Sequence, residues 1–94
     1  MLIQSVHFTF AREDADTVEA MFRELRAASR EEEGVIAFEV ARSHDKPNVF
    51  ALWEQYRDKE SFDAHVATDH YQRLVLGGLR PLAQQRDGEI VFPL

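Results

Sequence analysis

Alternation of apolar and polar positions predicts that the chain begins with a β-strand over residues 2 to 10. One side of this period of two carries Leu2, Val6, Phe8 and Phe10, and the other carries Ile3, Ser5, His7 and Thr9. Because one side is strongly apolar, we expect that side to face the core.

Apolar residues then recur every three or four positions, which is the pattern of an amphipathic helix at about residues 14 to 31. They are Ala15, Val18, Met21, Phe22, Leu25 and Ala28. Asp16 and Glu19 are spaced like a capping box near its start, and Gly34 is a plausible stop.

Two more strands are predicted at 35–43 and 49–56, joined by the turn formers of residues 44–48. The third strand opens with five apolar residues in succession, so we expect both of its faces to be covered. Asp58 can cap a second helix that continues to about Ala67.

A third helix is predicted from Asp69 to Gly77-Gly78, with Pro81 in the following connection and residues 89–94, EIVFPL, as the last strand. The order βαββαβ predicts one ferredoxin-like α+β domain over residues 1–94, with a four-stranded antiparallel sheet. Helices would cover one face of this sheet. Because the other face is expected to be apolar, we predict that two copies pack sheet to sheet as a homodimer.

The composition of the chain excludes several classes of partner and of chemistry. The 94 residues carry 11 Lys and Arg against 17 Asp and Glu, and this net charge of −6 makes nucleic acid an unfavourable partner. Cysteine is absent, which excludes disulfides and thiolate chemistry. Neither a signal peptide nor a membrane-spanning segment is predicted, so the expectation is a cytoplasmic protein without a membrane partner.

His65 is the strongest candidate for chemistry, because Phe62 shares its helical face and turns it toward the sheet. There it could act as a base near neutral pH, or it could be a buried histidine satisfied by Glu54 or a backbone carbonyl. His70 lies near the start of the third helix, where it could have a function or be a capping or surface residue. His65, Asp69 and His70 supply at most two well-aligned ligands, so no metal site is predicted.

Glu54 is a carboxylate on a face that it shares with Phe50, Leu52 and Tyr56. If buried, it must be paired, and a structural salt bridge with an arginine across the dimer or a bond to a histidine is favoured over catalysis. Trp53 points the other way, toward the barrel or dimer core.

The segment PNVFALWEQYRDKESFDAHVATDHY, together with Glu33-Gly34, resembles the antibiotic biosynthesis monooxygenase (ABM) family, which includes YgiN-like quinol monooxygenases. The resemblance spans essentially the whole chain and implies a dimeric α+β barrel. It also implies a homodimer that oxidises a small quinol or phenolic aromatic with O2 and uses no cofactor, metal or flavin.

The resemblance further implies a catalytic role for His65 and His7, and substrate contacts from Phe50, Leu52, Tyr56, Phe62, His70 and Tyr71. His7 stands where better-studied relatives place an asparagine, so it could instead be a strand histidine at the barrel face or dimer seam. Haem is disfavoured, because Val75 lies near the position of the axial histidine in haem-degrading relatives.

Two other functions remain open for this fold. The first is a non-redox isomerase of a small metabolite that uses His65 for proton transfer. The second is a dimer that binds a ligand without turnover. Oxygen uptake, anaerobic proton exchange and saturable binding without turnover distinguish the three.

Overall fold

One four-stranded antiparallel sheet organises the chain, and the computed structural model describes residues 1–94. The strands are β1 Leu2–Phe10, β2 Val35–Arg42, β3 Val49–Tyr56 and β4 Ala83–Val91, arranged in the order β2-β3-β1-β4. This is the predicted ferredoxin-like α+β arrangement, in which sequence neighbours β1 and β2 are separated by β3.

The first two helices agree closely with the sequence pattern. Helix α1 spans Ala15–Arg30, after a short 3-10 turn at Arg12–Asp14, and α2 spans Lys59–Val66. Asp58 caps α2 as expected, because its side chain accepts a hydrogen bond from the backbone N–H of Ser61 at 2.8 Å.

The predicted capping box at the start of α1 is wrong. Asp14 is the N-cap and makes no side-chain capping bond. Asp16 and Glu19 instead accept hydrogen bonds from Arg42 of β2, at 3.1 and 3.0 Å. These contacts tie the start of the helix to the sheet edge, a long-range use of the carboxylates that local spacing could not reveal.

The third helix extends beyond its predicted end. A π-helical segment at Tyr71–Leu79 runs straight through both glycines and continues as an α-helical turn at Arg80–Leu82. No glycine has a positive φ. A Cβ on Gly78 would lie 3.0 Å from Sδ of Met21, so this residue permits close packing on α1 instead of ending the helix.

The last strand therefore begins at Ala83, six residues earlier than expected, and Pro81 lies within the helix. The polar run from Gln84 to Gly88 lacks an apolar alternation, which is why the strand is hard to recognise in the sequence. It forms through backbone pairing with β1, in which Phe8 lies opposite Arg86 and His7 opposite Asp87.

Even-numbered positions of β1 and β3 face the helices and build the core. Phe8, Phe10 and Phe50 pack there with Phe22 of α1, at ring-centroid distances from 5.0 to 5.9 Å. Odd-numbered positions face outward. The outer face is less apolar than predicted, because the exposed polar residues His7, Glu39 and Asp87 lie on it. It also carries a large apolar side chain, Trp53, which is 43% exposed.

Gly34 holds α2 close to the sheet. A Cβ at this position would lie 2.1 Å from Oγ of Ser61 and 3.3 Å from its Cα, so no larger residue fits without moving the helix. Ser61 and His65 are the buried residues of α2. The close approach therefore helps to fix the position of His65. No helix of the chain is long and apolar enough to cross a membrane.

Candidate functional site

A cavity lies between the sheet and the helices, with an empty volume of about 450 Å³ that includes space open to solvent. Its apolar lining comprises Val6, Phe8, Phe22, Leu25, Phe38, Leu52, Phe62, Tyr71, Val75 and Leu79. Its polar lining comprises Gln4, Glu54, His65, Arg80 and Arg86. An apolar cavity with a few converging polar groups is the usual form of a small-molecule site.

His65 is brought to the cavity by α2 and is held there by a carboxylate. Its Nδ1 lies 2.9 Å from Oε2 of Glu32, and the residue is only 1% exposed. The side-chain partner of His65 is thus Glu32, and not Glu54 or a backbone carbonyl, which the sequence had offered for a buried structural histidine. Burial lowers the pKa of His65 below its ordinary 6.5, against the opposing effect of Glu32, so the neutral imidazole is favoured at pH 7.

Glu32 joins two histidines. The same Oε2 lies 2.6 Å from Nε2 of His70, which directly precedes the π-helical segment. A carboxylate oxygen only accepts hydrogen bonds. With Glu32 ionised, Nδ1 of His65 and Nε2 of His70 must therefore each carry a proton and donate it to Oε2. His65 Nε2 then keeps its lone pair and makes no hydrogen bond within the chain.

The Glu32–His65–His70 cluster is also the one group of side chains arranged to hold a metal, because its three ligand atoms lie within 4.8 Å of one another. The set considered from the sequence contained Asp69 instead, but that residue is exposed and is not part of the cluster. The count of aligned groups made from the sequence omitted Glu32, which comes from the loop after α1.

Glu54 forms a second polar group in the cavity. It is 6% exposed and accepts a hydrogen bond of 2.5 Å from the hydroxyl of Tyr56. Burial raises its pKa to about 7, although the Tyr56 bond and the nearby charge of Arg86 act in the opposite direction. Within the chain its partner is neither a histidine nor an arginine; an arginine across the dimer remains a prediction.

Arg80 and Arg86 bring positive charge to the cavity from the end of the third helix and from β4. Neither forms a salt bridge in the chain, although Arg86 lies over the ring of Phe8 at 5.8 Å from its centroid. Burial and the neighbouring Glu54 raise the pKa of Tyr56 well above 10, so this phenol stays protonated. The cavity thus combines a neutral imidazole, a carboxyl group with a pKa of about 7 and two guanidinium groups.

Five of the predicted site residues line this cavity: Leu52, Glu54, Phe62, His65 and Tyr71. His70 and Tyr56 do not line it: His70 is hydrogen-bonded to Glu32, and the hydroxyl of Tyr56 donates to Glu54. Phe50 packs with Phe8, Phe10 and Phe22 in a group that we call the phenylalanine cluster, and it lines a separate cleft with Arg42.

His7 does not reach the cavity. It is an odd-numbered residue of β1 and lies exposed on the outer face, opposite to the face that carries Val6 and Phe8. His7 and His65 therefore do not share one cavity within a single chain, and the catalytic role that the resemblance implies for His7 stays a prediction. The alternative of a strand histidine on the outer face agrees with this position.

Sequence reasoning missed Glu32, Gln4, Arg80 and Arg86. Gln4 carried a usable signal, because it interrupts the apolar side of β1 between Leu2 and Val6. Glu32 carried none, since it is one of three successive glutamates and its partner is 33 residues away. The two arginines were missed because the third helix and β4 were given the wrong bounds.

Residues 1–75 match the model of the family described as antibiotic biosynthesis monooxygenase. The chain belongs to this family. The match includes Glu32, His65, His70 and Glu54, and it ends before Arg80 and Arg86. No curated protein matches the chain in sequence.

Solved structures agree with the family assignment. A crystal structure of an antibiotic biosynthesis monooxygenase is 25% identical, with a TM-score of 0.92, and the match covers 100% of this chain and 99% of that chain. Protein PA3566 from Pseudomonas aeruginosa is 27% identical, with a TM-score of 0.91 and coverage of 99% and 93%. The ABM fold is therefore shared over essentially the whole chain.

Proposed function

We propose that this ABM-family protein is a monooxygenase that oxidises a small quinol or phenolic aromatic with O2 and requires no cofactor. The observation that carries the proposal is the position of His65, which lines an apolar cavity and is oriented by Glu32. The resemblance of the sequence to quinol monooxygenases, together with family membership, supports the reaction class.

His65 acts as the base in this proposal. With the proton on Nδ1 directed at Glu32, the free lone pair of Nε2 accepts the phenolic proton of the substrate. The ionised Glu32 then stabilises the imidazolium that forms, as a carboxylate does behind a catalytic histidine. The lowered pKa of His65 keeps it available as a base at neutral pH.

The phenolate is the species that reacts with oxygen. It transfers one electron to O2, the two radicals combine at a ring carbon, and the peroxide that forms loses water. One oxygen atom remains in the product as a quinone oxygen. The other leaves in water with the two hydrogens that came from the phenol and from that ring carbon. The substrate is oxidised, O2 is reduced, and no other reductant is needed.

Arg80 and Arg86 stabilise negative charge during these steps. They line the same cavity as His65 and form no salt bridge in the chain, so their guanidinium groups are available to the phenolate and the peroxide. We also propose that two copies pair through their outer sheet faces, where Trp53 is 43% exposed.

Oxygen consumption by the purified, metal-free and flavin-free protein tests the proposal. Offered a panel of quinols and dihydroxynaphthalenes, the protein should accelerate uptake above the autoxidation of the substrate alone. His65→Ala should lower that rate by about 10²- to 10⁴-fold. His44→Ala is the matched control, because His44 is exposed and pairs only with Asp45. Equal rates for His65→Ala and the unmodified protein would refute the role of His65.

A second candidate is an isomerase, and Glu54 is the observation that favours it. A carboxyl with a pKa of about 7 and a neutral imidazole line the same cavity, so one could remove a proton and the other return it. Exchange of substrate hydrogen for deuterium without oxygen would favour this reaction, particularly if Glu54→Gln abolished the exchange.

A further inference from the structure

We propose that Glu32, His65 and His70 form a binding site for one divalent transition-metal ion, with Zn²⁺ as the representative ion. The ligand atoms are Oε2 of Glu32, Nδ1 of His65 and Nε2 of His70, all within 4.8 Å of one another. Two imidazoles and one carboxylate are a known ligand set for zinc and for other ions of the first transition series.

Two of the three distances between ligand atoms require only a small adjustment. Three ligands at about 2.0 to 2.1 Å from a tetrahedral ion are separated by about 3.3 Å. Glu32 Oε2 now lies 2.9 Å from His65 and 2.6 Å from His70, as hydrogen bonding requires. Glu32 lies between α1 and β2 and outside both elements, so a shift of about half an ångström at this residue does not disturb a helix or a strand. The third distance, between the ligand nitrogens of His65 and His70, is within 4.8 Å.

The surroundings favour a cation. Glu32 is flanked by Glu31 and Glu33, and it also lines a solvent groove with Glu33, Asp58 and Glu60. The groove contains one positively charged residue, Arg57. Its negative charge attracts cations, and its opening to solvent gives an ion a path to Glu32 that does not pass through the apolar cavity. A water molecule from this side would complete the tetrahedron.

Metal binding would change what His65 presents to the cavity, a consequence that rests on the proposed function. The ion takes the lone pair of Nδ1, so the ring proton must reside on Nε2. The imidazole then offers the cavity a hydrogen-bond donor in place of a base. A site behind His65 would therefore inhibit proton removal, whereas metal binding itself does not depend on any activity.

Titration calorimetry with Zn²⁺ on the chelator-treated protein tests the site directly, and Co²⁺ adds a visible absorption spectrum that reports its coordination. We expect one ion per chain at micromolar concentration and a tetrahedral Co²⁺ spectrum. Glu32→Gln and His70→Ala should each weaken binding at least 100-fold, whereas His44→Ala should change it less than twofold. His44 is the control because it forms the chain's exposed histidine–carboxylate pair.

Two results would overturn the site: no Zn²⁺ binding at micromolar concentration, or binding that His70→Ala leaves unchanged. Because His70 is partly exposed, His70→Ala keeps the test decisive if Glu32→Gln fails to fold. If an active substrate is found, Zn²⁺ should inhibit oxygen uptake, and His70→Ala should remove that inhibition. If the protein binds Zn²⁺ but its metal-free form takes up no oxygen with any substrate of the panel, the proposed function is refuted and the metal site stands.

Discussion

Two aromatic clusters occupy the layer between the sheet and the helices, and they differ in their polar atoms. In the phenylalanine cluster, Phe10 and Phe22 lie 5.9 Å apart and every member is a hydrocarbon ring. In the histidine cluster, the ring of His65 lies 5.2 Å from both Tyr56 and Tyr71. Only the second cluster brings hydroxyl, imidazole and carboxyl groups to the cavity, so packing and chemistry are separated within one layer.

The phenylalanine cluster should determine stability, which Phe10→Ala tests with the largest expected effect. Phe10 is completely buried and contacts three other phenylalanines. Its truncation should lower the free energy of unfolding by about 3 to 5 kcal/mol in urea denaturation. The control is Phe92→Ala, which removes a ring that is 83% exposed. A comparable loss in both variants would contradict the assignment of the core.

The histidine cluster should make stability depend on pH, because burial raises the pKa of Glu54 to about 7. The folded chain keeps this proton at pH values where the unfolded chain has lost it. Its stabilising effect is complete below about pH 4.5 and is lost as the pH rises through about 7, a difference of about 3 kcal/mol. Arg86 opposes the raised pKa and the charge of Glu32 adds to it.

Urea denaturation of the unmodified protein and of Glu54→Gln, at pH 4.5 and pH 8, measures this contribution. The glutamine stays uncharged, so the variant should gain stability relative to the unmodified protein as the pH rises. Effects from the other titrating groups are common to both proteins and cancel in the difference. A difference that does not change with pH would place Glu54 in a more solvated position than the structure gives it.

Gly34→Ala should have a smaller effect, about 1 to 3 kcal/mol, because the new methyl group must displace Ser61. Ser61→Gly removes the atoms that lie 2.1 and 2.3 Å from that methyl group. The double variant should therefore be more stable than the sum of the two single effects predicts. Additive effects in thermal denaturation would show that α2 is not held against Gly34.

The sequence predicted the phenylalanine cluster better than the histidine cluster. The bounds of β3 were predicted correctly, because a run of apolar residues follows directly on a segment rich in turn formers. The cavity depended on contacts between distant segments, such as Glu32 with His65, and on a helix whose glycines were interpreted as a stop. Gly78 packs against Met21 instead, and no local pattern distinguishes these two uses of glycine.

The labelling of a product with ¹⁸O2 tests the central claim most directly. Once a quinol or phenol from the panel supports oxygen uptake, mass spectrometry of its product should show one ¹⁸O atom per molecule. Formation of that product should depend on His65. A product without label, or one that forms equally with His65→Ala, would contradict a monooxygenase that removes the substrate proton at His65.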